Sequence, residues 1–237
     1  MTHYACASQS DLHLCRDAFE TAVQKHLALQ SAVLASLPQD QDILHVKSLQ
    51  EWHDILQSPR NNTITVDAYD GNLAAQSIAI HPLCNDSIKD VDMLDMDLPD
   101  VPHKLSTFCA VMTHPQHRGQ HLMQCMMDEW KQIAARDNRS HLLGCITRSN
   151  VQSWSQFLKA GLVITGAGFD PSDNSTVYYA HRDAQAPVYW DMADIRIVSD
   201  ETNLSQVQEL LHAGYVGVEA ERKEAQYTKR LIMARRL

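Results

Sequence analysis

The stretch Thr113-His114-Pro115-Gln116-His117-Arg118-Gly119-Gln120-His121-Leu122-Met123 lies between an apolar run and a helical pattern. Its residue types suit a phosphate-bearing ligand. Amides at a helix N-terminus have no partner within the helix, and the macrodipole there is positive. A pyrophosphate docked on them gains several N–H hydrogen bonds. Arg118 adds a permanent cation at the first turn, and His117 and His121 add donors. Loops of this kind are normally rich in glycine, because a Cβ holds phosphate oxygens away from the backbone. Here Gly119 is the single glycine, and His121 and Met123 stand where small residues are expected. The strand before the loop offers backbone carbonyls and amides to an extended ligand arm.

Other clusters carry weaker chemistry. Asp86, Asp90, Asp92, Asp95, Asp97 and Asp100 crowd one segment. It reads as a charged surface loop that could attract a cationic amine. It lacks the ligand order and the glycine of a calcium-binding EF-hand. His117 and His121 have i,i+4 spacing, but no glutamate lies between them and no third ligand is evident, so no metal is expected. Met112, Met123, Met126 and Met127 read as core filler. The six cysteines form no CxxC pair. They read as reduced core residues of a cytoplasmic protein. The first residues show no apolar signal-like run, and nothing approaches the about 18 apolar residues of a membrane span. A net charge of −9 argues against nucleic acid as a partner.

The elements that position the loop follow from periodicity. Residues 10 to 37 read as a helix with an imperfect apolar stripe of Leu12, Phe19, Val23, Leu27, Val33 and Leu37, capped by Ser10 or Asp11. A short amphipathic helix follows and ends at Pro59. Residues 62 to 83 read as a β-hairpin around Asp70-Gly71-Asn72. Leu105 to Met112 read as a buried strand stopped by Pro115. A helix then runs from Arg118 to Asn138, with Leu122, Met126, Met127, Trp130 and Ile133 as core positions. A strand, a helix closed by Gly161 at C′, and two strands complete an α/β pattern with at least one parallel crossover.

The last segment repeats this ending. Asn150–Arg182 aligns with Asn203–Arg235 without a gap, matching Asn150 with Asn203, Gly161 with Gly214 and Arg182 with Arg235. Either two similar units share a common pattern or the unit is duplicated. Either way, residues 187 to 237 read as an ordered β-α-β-β addition. Its edge strand could pair two subunits as a homodimer or lie covered in a monomer.

The loop and the later residues together resemble the GNAT superfamily of acyl-CoA-dependent N-acyltransferases. That family carries V-x-P-x-x-R-G-x-G-x-G/A after an apolar strand, matched here by Thr113 to Met123. Its later signature, N-x-x-S/A followed by a helix with Y-x-x-x-G-F, is matched by Asn150-Val151-Gln152-Ser153 and Phe157-Leu158-Lys159-Ala160-Gly161-Leu162. The resemblance covers residues 43 to 182. It implies a mixed α/β fold with a central sheet flanked by helices, a core over 43–186, an N-terminal helical addition over 1–42 and the C-terminal addition over 187–237. It implies that the amides of Arg118, Gly119, Gln120, His121, Leu122 and Met123 hold the CoA pyrophosphate. Val111, Met112 and Thr113 would pair with the pantetheine arm, and Asn150 and Ser153 would lie beside the cofactor. The co-substrate would be acetyl-CoA or another acyl-CoA, and the acceptor a primary amine of a small molecule or peptide. Phe157 stands where the family's thiolate-protonating tyrosine is expected, leaving Tyr178 and Tyr179 as candidate acids. No glutamate sits on the central strand, leaving His114, a water chain or the aspartate-rich loop as the base. If Asn203–Arg235 were the true end of the fold, Asn203 and Gln206 would take over the cofactor contacts. The alternative function is a ligand- or partner-binding module that has lost catalysis.

Overall fold

The computed structural model describes residues 6–8, 16–37, 46–83, 102–170, 173–186, 189–199, 202–222 and 229–236. The aspartate-rich segment, and Ser10 and Asp11, lie outside the described residues. The chain divides into two compact units: Met1–Leu83 with Ser106–Asn138, and Cys84–Leu105 with Arg139–Leu237. Both mix strands and helices, so the fold class is the expected α/β. None of the described helices is long and apolar enough to cross a membrane.

In the first unit the strands run in the order β1 (Cys6–Ser8), β2 (Asn61–Asp67), β3 (Leu73–Ile80) and β4 (Leu105–Thr113), each antiparallel to the next. The β2–β3 hairpin turns where expected. Gly71 takes φ 80°, and the Ala68 N–H donates to the Asn72 carbonyl at 2.8 Å. Asp70 accepts from both the backbone and side-chain N–H of Asn72, which holds its carboxyl below the ordinary value.

Helix α1 (Arg16–Leu34) packs on β3 and on α2 (Leu49–Gln57). Ser48 and Glu51 close a capping box at the start of α2. The core between these elements is Val23, Leu29, Val33, Trp52, Leu73, Ile78 and Met112. The gaps in the α1 stripe are filled by polar residues, because His26 and Gln30 are buried with Val23 and Val33. Helix α3 (Leu122–Arg136) packs on β2 and β3. It buries all five expected core positions, each burial favouring the fold by about 1.5–3 kcal/mol. Trp130 stacks on Phe108 at 4.8 Å, and its Nε1–H donates to Ser106 Oγ at 2.7 Å.

In the second unit β5 (His141–Thr147), β7 (Thr176–Asp183), β6 (Val163–Phe169), β9 (Tyr215–Arg222), β10 (Lys229–Arg236) and β8 (Trp190–Val198) form the sheet in that order. Its helices are α4 (Val151–Lys159) and α5 (Leu204–His212). The internal repeat is present in three dimensions. Asn150 caps α4 by accepting from Ser153 N–H at 3.1 Å, and Asn203 caps α5 by accepting from Gln206 N–H at 2.8 Å. Gly161 and Gly214 end the helices with φ of 86° and 85°. Arg182 donates to the Ala160 carbonyl at 3.5 Å, and Arg235 to the Ala213 carbonyl at 3.4 Å. Ile164 of β6 pairs antiparallel with its own equivalent, Gly217 of β9. Each helix also packs on the other repeat's first strand, α4 on β9 and α5 on β6. The repeats are therefore related by a local pseudo-two-fold axis at the Ile164–Gly217 pair. Gly217 is needed there, since a Cβ would lie 2.8 Å from Leu231 and 2.9 Å from Ile164.

Candidate functional site

The first unit builds the phosphate loop differently from the continuous helix expected after Arg118. Pro115–His117 form a single 3-10 turn, Arg118 is extended, and α3 begins only at Leu122. The physical reason is two left-handed residues, Gly119 at φ 77° and His121 at φ 59°, which a right-handed helix cannot contain. The Arg118 N–H turns back to the Pro115 carbonyl at 3.4 Å. Leu122 and Met123 open the helix, so their amides have no intrahelical acceptor.

Among helices of this chain the cap chemistry differs. Ser48, Asn150 and Asn203 each give a side-chain oxygen to an N-terminal amide, whereas His121 makes no side-chain cap bond. The start of α3 thus keeps its positive end open toward an anion. A Cβ placed on Gly119 would meet nothing within 4 Å, so the space over that residue is open. His121, which replaces a family glycine, is exposed and adopts the left-handed conformation a glycine would supply. Met123 is half-buried. Arg118 reaches back across the unit: its Nη2 donates to Ser36 Oγ at 2.7 Å, and Ser36 Oγ donates to the Val33 carbonyl at 2.7 Å. This ties the loop to the last turn of α1.

The strand feeding this loop carries a feature invisible in the sequence. On β4, Met112 pairs with Gln76 and Cys109 with Ile78, so Ala110 and Val111 together face the single residue Ser77. Ala110 has φ 50°. This is a β-bulge, which leaves one extra residue unpaired by β3 and bends the strand. A left-handed alanine costs about 1–2 kcal/mol, so the surrounding packing must hold it. The usual sequence signal would be a glycine, and alanine gives none. The bulge adjoins Val111–Thr113, the segment that the resemblance assigns to the ligand arm.

His114 caps the 3-10 turn, its Nδ1 accepting from the Gln116 N–H at 3.3 Å. Its ring lies 5.6 Å from that of His117. The second unit holds the remaining predicted residues. Asn150 and Ser153 are engaged with each other as the α4 cap. Phe157 is 2% exposed, and its ring packs against Gly144 of β5: a Cβ at Gly144 would sit 2.2 Å from Phe157 Cε1. Tyr178 and Tyr179 are neighbours on β7 and both buried. Adjacent strand residues face opposite sides. Tyr178 meets Trp154 of α4 edge-on at 6.2 Å and lies under the Arg148 guanidinium at 5.8 Å.

No protein-family model matches the chain, and no curated protein matches its sequence. Solved structures do match. The acetyltransferase of the GNAT family from Streptococcus pneumoniae is 13% identical, with a TM-score of 0.50 over 76% of this chain and 99% of that one. A candidate acetyltransferase from Acinetobacter baylyi ADP1 is 15% identical, with a TM-score of 0.52 over 79% of this chain and 96% of that one. YncA, a candidate acetyltransferase from Salmonella typhimurium solved with its cofactor acetyl-CoA, is 11% identical, with a TM-score of 0.52 over 81% of this chain and 99% of that one. These likenesses show the fold: this chain has the mixed α/β fold of the GNAT acetyltransferases.

Proposed function

We propose that this chain, built on the GNAT fold, is an N-acyltransferase that moves an acetyl group from acetyl-CoA to a primary amine of a small molecule or peptide. The observation that carries this reading is the bulged strand β4 running into an uncapped helix with Gly119 and His121 both left-handed. The residues fit the CoA pyrophosphate. The amides of Gly119 through Met123 line the open end of α3, and Arg118 adds charge. Acetyl-CoA supplies an activated thioester. Val111, Met112 and Thr113 would hold its extended arm through backbone groups, with the bulge at Ala110 freeing strand amides to polarise the thioester carbonyl. Asn150 and Ser153 are further residues proposed to contact the cofactor. Holding amine and acyl group together supplies much of the rate.

Phe157 cannot donate a proton, and its ring is spent on packing against Gly144. Tyr178, which shares a face with α4, is the phenol proposed to protonate the departing thiolate, with Tyr179 the second choice. His114 is proposed to take the amine's proton. Residues 43–186 form the proposed catalytic core, with 1–42 and 187–237 as additions. A cytoplasmic setting is proposed, where cysteines stay reduced.

The test is acetyl-CoA-dependent thiol release with a panel of primary amines: a polyamine, an aminoglycoside, phenethylamine and a lysine-bearing peptide. Release that requires both acetyl-CoA and one amine supports the reading. Tight acetyl-CoA binding with no release across the panel would favour a binding module, the role that Phe157 already fits.

A further inference from the structure

We propose that His26 of α1 is the proton acceptor for the attacking amine, with Gln76 of β3 as the residue that positions it; this rests on the acyl-transfer reading above. His26 is 2% exposed and stacked on Trp52, with ring centroids 4.9 Å apart and planes 16° from parallel. Its Nδ1 is hydrogen-bonded to Gln76 Oε1. An amide oxygen only accepts, so Nδ1 carries the hydrogen and the neutral ring presents its lone pair at Nε2. Among the described residues no group bonds Nε2, and it is not one of their fully enclosed, unpartnered polar atoms. The ring is thus held by two neighbours with its basic nitrogen left open. His114 offers the opposite arrangement, because its Nδ1 is already used by the Gln116 amide.

The location fits the task. Gln76 pairs with Met112 on β4, one residue from the Ala110–Val111 bulge. Ala110, Cys109 and Met112 pack in the same cluster as Trp52 and Val23. The polar atoms around His26 are also incomplete. Trp52 Nε1 and Gln76 Nε2 belong to residues that are 0% exposed, and neither has a hydrogen-bond partner among the described residues. Buried donors are normally paired. Two orphaned donors on the face of β3 that His26 covers point to a ligand with acceptor atoms.

The step balances without a further reactant. The neutral amine gives its lone pair to the thioester carbonyl carbon, and the new N–C bond makes the remaining N–H acidic. That proton passes to His26 Nε2. The C–S bond breaks with its electron pair on sulfur, the thiolate takes a proton, and His26 returns its own to solvent. Burial keeps His26 below its ordinary pKa; the hydrogen bond to Gln76 opposes this, and Lys25 on α1 adds to it. The other ionisable neighbours are His53 of α2, paired with Glu20 of α1 at 3.4 Å, and the Cys109 thiol on β4. Glu51 and Asp54 bond within α2.

The experiment measures pH profiles of thiol release for the wild type, His26→Gln and Gln76→Glu, using acetyl-CoA and whichever panel amine is turned over. His26→Gln should lower kcat by about a hundredfold or more while acetyl-CoA binding, read by thermal shift, is kept. Gln76→Glu places a carboxylate on Nδ1–H and should move the acid limb of kcat to higher pH, which a purely structural role would not do. Nitrogen-15 NMR should show the Nδ1–H tautomer of His26 in the wild type. Turnover retained by His26→Gln, an unmoved acid limb in Gln76→Glu, or the Nε2–H tautomer would each overturn the proposal while leaving acyl transfer intact. A wild type that binds acetyl-CoA but acetylates no amine overturns both.

Discussion

Gly144→Ala is the sharpest packing test of how the second unit treats Phe157. The added Cβ would lie 2.2, 2.7 and 2.9 Å from three atoms of the Phe157 ring. Carbon atoms in contact sit about 3.5–4.0 Å apart, so the ring must retreat by roughly 1.3 Å or more. Phe157 is 2% exposed on a helix already packed on β9, so it has little room to move. Overpacking of this kind costs about 1–3 kcal/mol, and this contact belongs at the upper end. Replacing glycine inside a strand returns roughly 0.5–1 kcal/mol. The net loss is about 2 kcal/mol, or about 4–8 °C in Tm for a chain of this size. The assay is reversible thermal and urea unfolding of the wild type, Gly144→Ala, Phe157→Leu and the double variant. The double variant should lose less than the two single losses combined, by about 1 kcal/mol, because the new methyl occupies space the shorter side chain leaves. A Gly144→Ala chain that melts with the wild type, or strictly additive losses, would refute the placement of Phe157 over Gly144.

Three further outcomes are expected. Asn150→Ala and Asn203→Ala should each cost about 1 kcal/mol in urea unfolding, by similar amounts, because each removes the same cap from an equivalent helix. Gly161→Ala should cost more than Gly214→Ala: both need a left-handed residue, but only at Gly161 would a Cβ come within 3.0 Å of Arg182 Nη1. The His26 pKa is lowered by burial from 6.5, so the unfolded chain binds the extra proton first as pH falls. His26 therefore contributes stability fully above about pH 6.5, lost on acidification toward its folded value. His26→Gln should flatten that part of the stability–pH curve.

Much of this architecture is legible in the sequence where local chemistry is strong. The Asp70-Gly71 turn and the Gly161 helix end rest on residues whose lack of a side chain dictates backbone angles. The tandem repeat is legible for the same reason, and the structure adds the pseudo-two-fold pairing of Ile164 with Gly217. What stays hidden is set by tertiary context. Ala110 and His121 take positive φ without a glycine to announce it, so neither the bulge nor the late start of α3 is visible beforehand. His26 and Gln30 interrupt the apolar stripe of α1, and the pattern reads as imperfect although both are buried beside Val23, Leu29 and Val33. Arg118 is legible as a cation at the loop, but its bond to Ser36 joins positions far apart in the chain.

The most direct test of the account is thermal unfolding with and without excess acetyl-CoA, for the wild type and Arg118→Glu. A ligand that binds only the native state adds about 2.7 kcal/mol of stability at a hundredfold excess over Kd. The account predicts a clear rise in Tm for the wild type. It predicts little or none for Arg118→Glu, whose exposed side chain can change sign without disturbing the core. An unmoved wild-type Tm at millimolar acetyl-CoA, or an equal rise in both proteins, would contradict the claim that the open end of α3 holds the cofactor's phosphates.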